Sequence, residues 1–200
     1  MSTPAEGPGA RDIHRAAVVS AMLALLNEGP GEPSLTDVAA RTGMSGDEVF
    51  SHFDSVDDLR KEVIALHIHR VEQLLAAADL RVGPLEARVR RFIEARVEFC
   101  ATMAGTGRVA HSRAQVPEIA DAVQHVRELW DDHLRTQFAP ELATLDEGPA
   151  NELVATIDGL FLFDTWEDLV AGHGRTPEQI GRAWTRTLLA LLPSGPKAGT

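Results

Sequence analysis

Between residues 34 and 52 lie polar groups of the kind that hydrogen-bond phosphate oxygens: the hydroxyls of Thr36, Thr42, Ser45 and Ser51, the Arg41 guanidinium and the His52 ring. Gly46, Asp47, Glu48 and Phe50 stand among them, at the start of what reads as a second short helix. The chemistry on offer is contact with a nucleic acid, backbone first and base edges second. The two carboxylates could accept from cytosine amino groups, although repulsion from phosphate is the simpler expectation. Across residues 34 to 60, Asp37, Asp47, Glu48, Asp54, Asp57 and Asp58 face only Arg41 and Arg60. Arg11 and Arg15, near the chain start, add a little. Few cations imply a shallow salt dependence, since each neutralised phosphate contributes a slope of roughly −0.9 in log affinity against log salt.

A second candidate lies in residues 85 to 104. At 100° per residue, Leu85, Phe92, Arg96, Phe99 and Met103 share one stripe, which Ile93, Val97, Cys100 and Ala104 widen. A guanidinium within an apolar stripe must be paired. Either it meets a carboxylate such as Asp158, Asp164 or Glu167, or it greets the anionic head of a ligand in a pocket lined by Phe92, Phe99, Met103, Trp130 and Phe138. Phe161, Phe163 and Trp166 could line the same pocket or be plain core.

Other clusters carry less. Asp121, His125, Glu128 and Asp132 share a helix face with spacings a divalent metal could use, but such a row ordinarily meets water. His67 and His69 point away from each other on a helix, and His111, His133 and His173 have no sequence neighbours that single them out. Cys100, the single cysteine, reads as a small buried hydrophobe. An enzyme finds no support: there is no glycine-rich phosphate loop, nucleophile elbow or HExxH pair, and no cofactor or metal is called for.

These residues need helices to position them, and the sequence offers little else. The 200 residues contain no tyrosine and no sustained alternation of apolar and polar residues. The expected fold is all-α, with about nine helices. A disordered arm is expected over 1–11. A first helix runs from Asp12 to Asn27 with Ala17, Ala21, Ala24 and Leu25 near one face, until "EGPGEPS" stops it. Ser45-Gly-Asp-Glu48 has capping-box spacing, which Ser55-Val-Asp-Asp58 repeats more loosely. A helix over about 55 to 80 ends at "RVGP", and single helices are read over 85–104, over "PEIADAVQHVRELWDDHLRTQF", over "NELVATIDGLFLFDTWEDLVAG" and over "TPEQIGRAWTRTLLALLP". Residues 194–200 read as a disordered tail. The net charge of −11 argues against indiscriminate binding to nucleic acid or anionic lipid. With no signal or membrane-spanning pattern and one thiol, a soluble cytoplasmic protein is expected.

Ala39, Gly43 and Val49 supply the small, turn and apolar positions of a helix-turn-helix, with Val38 and Phe53 as further core. Together with Gly29, Ser34, Leu35, Met44, Ser45, Phe50, His52 and Leu59, this pattern from Ala17 to Leu59 resembles, without a gap, the amino-terminal domain of the TetR family of transcriptional repressors. The resemblance implies a three-helix DNA-binding domain over 12–54, joined by a long helix to a ligand-binding and dimerisation bundle over 55–193. It implies a small-molecule effector, a double-stranded operator and a homodimer. Two positions depart from the pattern: Phe50 stands where the family usually has Tyr, and Val56 where it usually has Lys. Both normally contact phosphate.

Leu153, Ile157, Leu160 and Phe161, then Ile180, Trp184, Leu188 and Leu191, offer more apolar surface than one small domain should need to hide. In the resembled family these elements form an intersubunit four-helix bundle, so a two-fold dimer is expected there. The resemblance also places the transmitter of ligand binding in 55–80 and its contact with 109–119.

Overall fold

The computed structural model describes residues 8–28, 33–76, 81–113 and 115–193, and every regular element among them is helical. The chain packs as two compact units, Met1–Arg70 with Gly105–Ala122 and Val71–Ala104 with Val123–Thr200. On the long fourth helix, Leu59 and Val63 belong to the core of the first unit and Val71 and Leu75 to that of the second.

In the first unit, α1 spans Pro8–Glu28 and starts before the expected Asp12. Proline suits a first helical turn, where its missing N–H has no partner to lose. Residues 1–7 of the expected arm, the expected tail 194–200, Gly29 and the end of the linking helix at 77–80 lie outside the described residues. The buried face of α1 is Val18, Val19, Met22, Leu23 and Leu26, whereas Ala17 is exposed. The larger side chains, which gain most from burial, set the rotation of the helix.

Helix α2, Leu35–Thr42, and α3, Gly46–Ser51, each begin at a serine that accepts from the N3 amide while the N3 carboxylate takes the serine's own amide. Between them Gly43 holds φ at 73°, a left-handed turn that glycine enters without strain. Val38, Ala39, Val49 and Phe53 close the pair onto α1, with Leu59 and Val63 from α4, Val56–Ala76.

The second unit is built on α5, Leu85–Thr102, and α11, Pro177–Leu191, around a core that includes Phe92, Ile93, Trp130, Phe138, Ile157, Phe161 and Trp184. A short α6, Ala104–Ser112, was not foreseen as a separate helix. It is followed by α7, Pro117–Gln137, and the single turn α8, Ala139–Leu142. The single helix expected over 151–172 is broken: α9, Glu147–Leu160, stops at Phe161, Leu162 is extended, and α10, Phe163–Glu167, runs on into a π-helical turn, Asp168–Gly172. On a straight helix Phe161 and Trp166 would point about 140° apart. The break lets both pack on Trp184, with ring centroids 5.1 and 6.1 Å away. With these breaks and short turns the described residues form eleven α-helices instead of nine. None is long and apolar enough to cross a membrane.

Candidate functional site

On the α2–α3 unit, Thr36, Arg41, Ser45, Gly46, Asp47, Glu48, Phe50 and Ser51 are all exposed, Phe50 by 51%. The fold thus gathers most of the expected reader residues on accessible turns. Their polar groups, however, are partly committed. The Glu48 carboxylate accepts from the Ser45 amide at 2.7 Å, which holds its pKa below the usual carboxylate range. Glu48 is therefore a cap, which removes it as a base reader. Asp37 is held acidic in the same way, first by the Ser34 side chain. The Thr42 hydroxyl donates back to the Val38 carbonyl at 2.9 Å, and that of Ser51 to the Glu48 carbonyl at 2.7 Å.

His52 departs from expectation. It is 5% exposed, its Nδ1 has no hydrogen-bond partner, and its ring packs edge-on to His14 at 5.6 Å. It belongs to the core of the unit because it follows α3 immediately, on the side that closes onto α1.

The cations are also engaged. Arg41 makes a two-pronged contact with Glu28, at 3.0 Å through Nη1 and with a second bond through Nη2. Each partner stabilises the charge of the other, so the arginine is made more basic and the glutamate more acidic. Arg15 binds Glu62, contacts Asp58 at 3.2 Å and lies 4.5 Å over the Phe53 ring. Arg11 donates weakly to the Ser51 carbonyl at 3.4 Å. Glu28 and Glu62 were not singled out in the sequence, since nothing local to either position shows the partner that folding brings to it.

In the second unit, Phe92, Arg96, Phe99, Met103, Trp130, Phe138, Phe161 and Trp166 are all buried in one cluster. Phe92 meets Trp130 edge-on at 5.8 Å and Phe138 at 5.5 Å, and Phe99 meets Trp130 at 5.6 Å. The Arg96 guanidinium lies 4.4 Å over the Trp130 ring. Its Nε donates to the Phe161 carbonyl at 2.7 Å, an acceptor left open by the break after α9. The Asp158 carboxylate is 3.6 Å from Nη2. Burial makes this arginine less basic than usual. His133, passed over in the sequence, stacks on Phe92 at 5.6 Å, and burial lowers its pKa to about 4. The Cys100 thiol is fully buried and pushed up to about 12 by that burial, which suits an inert core residue.

Of the residues expected at a dimer interface, Ile157, Ile180, Trp184 and Leu188 are buried within the chain's own core. They are withdrawn as contacts to a second subunit, because α11 packs on α5 and on α9 and these side chains fill the core they share. Leu153 and Leu191 are half-buried against the same core, and Leu160 is 41% exposed. Asp121, His125, Glu128 and Asp132 all lie exposed along α7.

No family model matches the chain. It is 29% identical over 100 residues to the HTH-type transcriptional repressor LfrR of Mycolicibacterium smegmatis, a match that covers 50% of this chain and 52% of that protein. The chain thus spans about half the length of this curated relative. Its fold is similar to a crystal structure of a tetR-family transcriptional regulator from Streptomyces coelicolor, at a TM-score of 0.75 and 18% identity over 93% of this chain and 82% of that one. It is also similar to the multidrug binding protein EbrR complexed with imidazole, at a TM-score of 0.61 and 16% identity over 93% of this chain and 98% of that one.

Proposed function

We propose that this chain, which has the all-helical fold of the TetR-type transcriptional regulators, is itself such a regulator. In this reading α2 and α3 bind a palindromic operator, two copies act as a homodimer, and a small molecule in the second unit releases the DNA. The observation that carries the reading is the doubly capped helix-turn-helix, with Gly43 left-handed at its turn and Thr36, Ser45 and Phe50 exposed beside it. The similarity to a named repressor supports repression as the direction of control.

The exposed amides at the start of α2 and α3, the Thr36 and Ser45 hydroxyls and Gly46 serve the phosphates, with Thr42 and Ser51 at the edge. Asp47 faces the groove. Phe50 has no hydroxyl to give a phosphate, and its exposed ring suits a sugar or a thymine methyl. Arg41 joins the phosphates only by exchanging Glu28 for one of them. Two readers must meet successive major grooves about 34 to 36 Å apart, so a ligand that favours another spacing releases the operator. Linkage then requires DNA to weaken ligand binding by the same factor. The dimer would use the outer surfaces of α9 and α11, including Leu160 with Leu153 and Leu191 at its margin. Light scattering at micromolar concentration giving twice the chain mass of 21.6 kDa supports it, and the single-chain mass overturns it.

Fluorescence anisotropy tests the DNA reading, with labelled DNA from upstream of the protein's own gene titrated at roughly 50 and 200 mM salt. Saturable binding with a shallow salt slope is expected. The internal pairing of Arg41 and Arg15 favours a second reading, in which the reader has lost DNA and the chain serves as a ligand- or protein-binding module. Absence of protection of any genomic DNA fragment at the lower salt selects it.

A further inference from the structure

Helix α5 buries two arginines and treats them differently. Arg88 meets both carboxylate oxygens of Glu141 and donates to the Gln137 carbonyl at 2.6 Å, and both charged side chains are almost fully buried. That is a closed pair, each charge answered by the other. Arg96 is as deeply buried, yet its guanidinium donates a single hydrogen bond among the described residues, from Nε to the Phe161 carbonyl. Asp158, at 3.6 Å, stands beyond hydrogen-bond reach on a side chain that keeps 27% of its surface in solvent.

The surroundings of Arg96 are unsatisfied in the same sense. Trp130, under the guanidinium and 2% exposed, has an indole Nε1 with no hydrogen-bond partner, and so does Nε2 of the buried His133. An indole N–H is a donor only, and a buried donor without an acceptor is costly. His133, driven neutral by burial, brings no charge of its own near neutral pH. Beside burial, which disfavours the charge of Arg96, the Cys100 thiol and the Asp158 carboxylate favour it and Arg127 opposes it. Asp158 answers the charge of Arg96 through an ion pair at 3.6 Å, as its sequence position allowed, but it supplies no hydrogen-bonding oxygen to the Trp130 indole or to His133. The rings of Phe92 and Phe99 both pack beside Trp130, with centroids 5.8 and 5.6 Å away.

We propose that Arg96, Trp130 and His133 form the recognition end of a ligand site that takes an aromatic monocarboxylate, its oxygens on the remaining guanidinium N–H groups and the indole N–H, and its ring between Phe92 and Phe99. This rests on the reading of the second unit as the effector-binding part. It goes further by fixing the sign of the ligand: a lipophilic cation, which aromatic cavities otherwise favour, is rejected here by Arg96.

The test is isothermal titration of the full chain with 2-naphthoate, with 2-naphthalenemethanol as the uncharged ring and 2-naphthylmethylamine as the cationic one. Saturable binding of naphthoate is expected, at least tenfold tighter than either control. Arg96→Met should abolish that preference, and Trp130→Phe, which keeps a ring and removes the donor, should weaken naphthoate several-fold with the helical circular dichroism unchanged. Should Arg96→Met fail to fold, Trp130→Phe decides. No naphthoate binding, equal binding of the three compounds, or naphthoate affinity untouched in both variants overturns the proposal. Release of operator DNA by the alcohol or the amine, with naphthoate inert, would sink this ligand class and leave the regulator standing. Naphthoate binding by a chain that binds no DNA would do the reverse.

Discussion

A Cβ on Gly105 would lie 2.6 Å from the Asn27 Cα and nearer still to the Leu26 carbonyl, so α6 rests on the end of α1 at backbone distance. Thr106 locks the contact, its amide and hydroxyl donating to the Asn27 side-chain oxygen at 3.1 and 2.8 Å. Backbone on backbone leaves no side chain to yield. Gly105→Ala should therefore destabilise the first unit by about 3 kcal/mol, the upper range for overpacking. Gly159→Ala, in a helix with nothing within 4 Å, should instead stabilise by up to ~1 kcal/mol. Urea midpoints compare the two, and equal midpoints would refute the close docking of α6 on α1.

The Arg88–Glu141 pair gives a prediction of opposite shape. Glu141→Ala leaves a buried guanidinium unanswered and should cost roughly 3 to 5 kcal/mol, whereas Arg88→Met with Glu141→Leu removes both charges and should cost far less. Chemical denaturation of the single and double variants checks this. A double variant as unstable as the single one would show that the pair matters through its shape and hydrogen bonds to Gln137.

Freeing Arg41 should strengthen the reader. Glu28→Gln removes the carboxylate that holds the guanidinium, so the arginine is released to a phosphate. The anisotropy titration should show tighter binding at low salt and a log–log slope steeper by about 0.9 for each half-site. An unchanged slope means that Arg41 never reaches the DNA.

Burial depresses His133 and His67 to about 4, in His67 with help from the charge of Arg70. A histidine that resists protonation only when folded binds its proton more readily in the unfolded chain. Stability should therefore fall as pH drops from about 6.5 towards 4 and level off below that window. His133→Phe, which keeps a ring against Phe92, should lose less of its urea midpoint between pH 7 and pH 5 than the parent. A parallel loss would place the acid sensitivity elsewhere, His67 first.

Local pattern carried the reader far. The Ser45 cap, Gly43 and the buried Val38, Ala39, Val49 and Phe53 are visible in the sequence because capping, left-handed turns and helical period act over four residues or fewer. The apolar stripe that carries Phe92, Arg96 and Phe99 was visible for the same reason. Tertiary structure decided what each charge and each apolar face does. Arg41 meets Glu28 and Arg15 meets Glu62 across loops that no spacing rule spans, and His52 turns inward with the unit's core. The apolar faces of Ile157, Ile180, Trp184 and Leu188 read equally well as an interface or an interior, because hydrophobicity has no direction. The fold buries all four within the chain's own core, and the break after α9 frees the Phe161 carbonyl for Arg96 and turns Phe161 and Trp166 together onto Trp184.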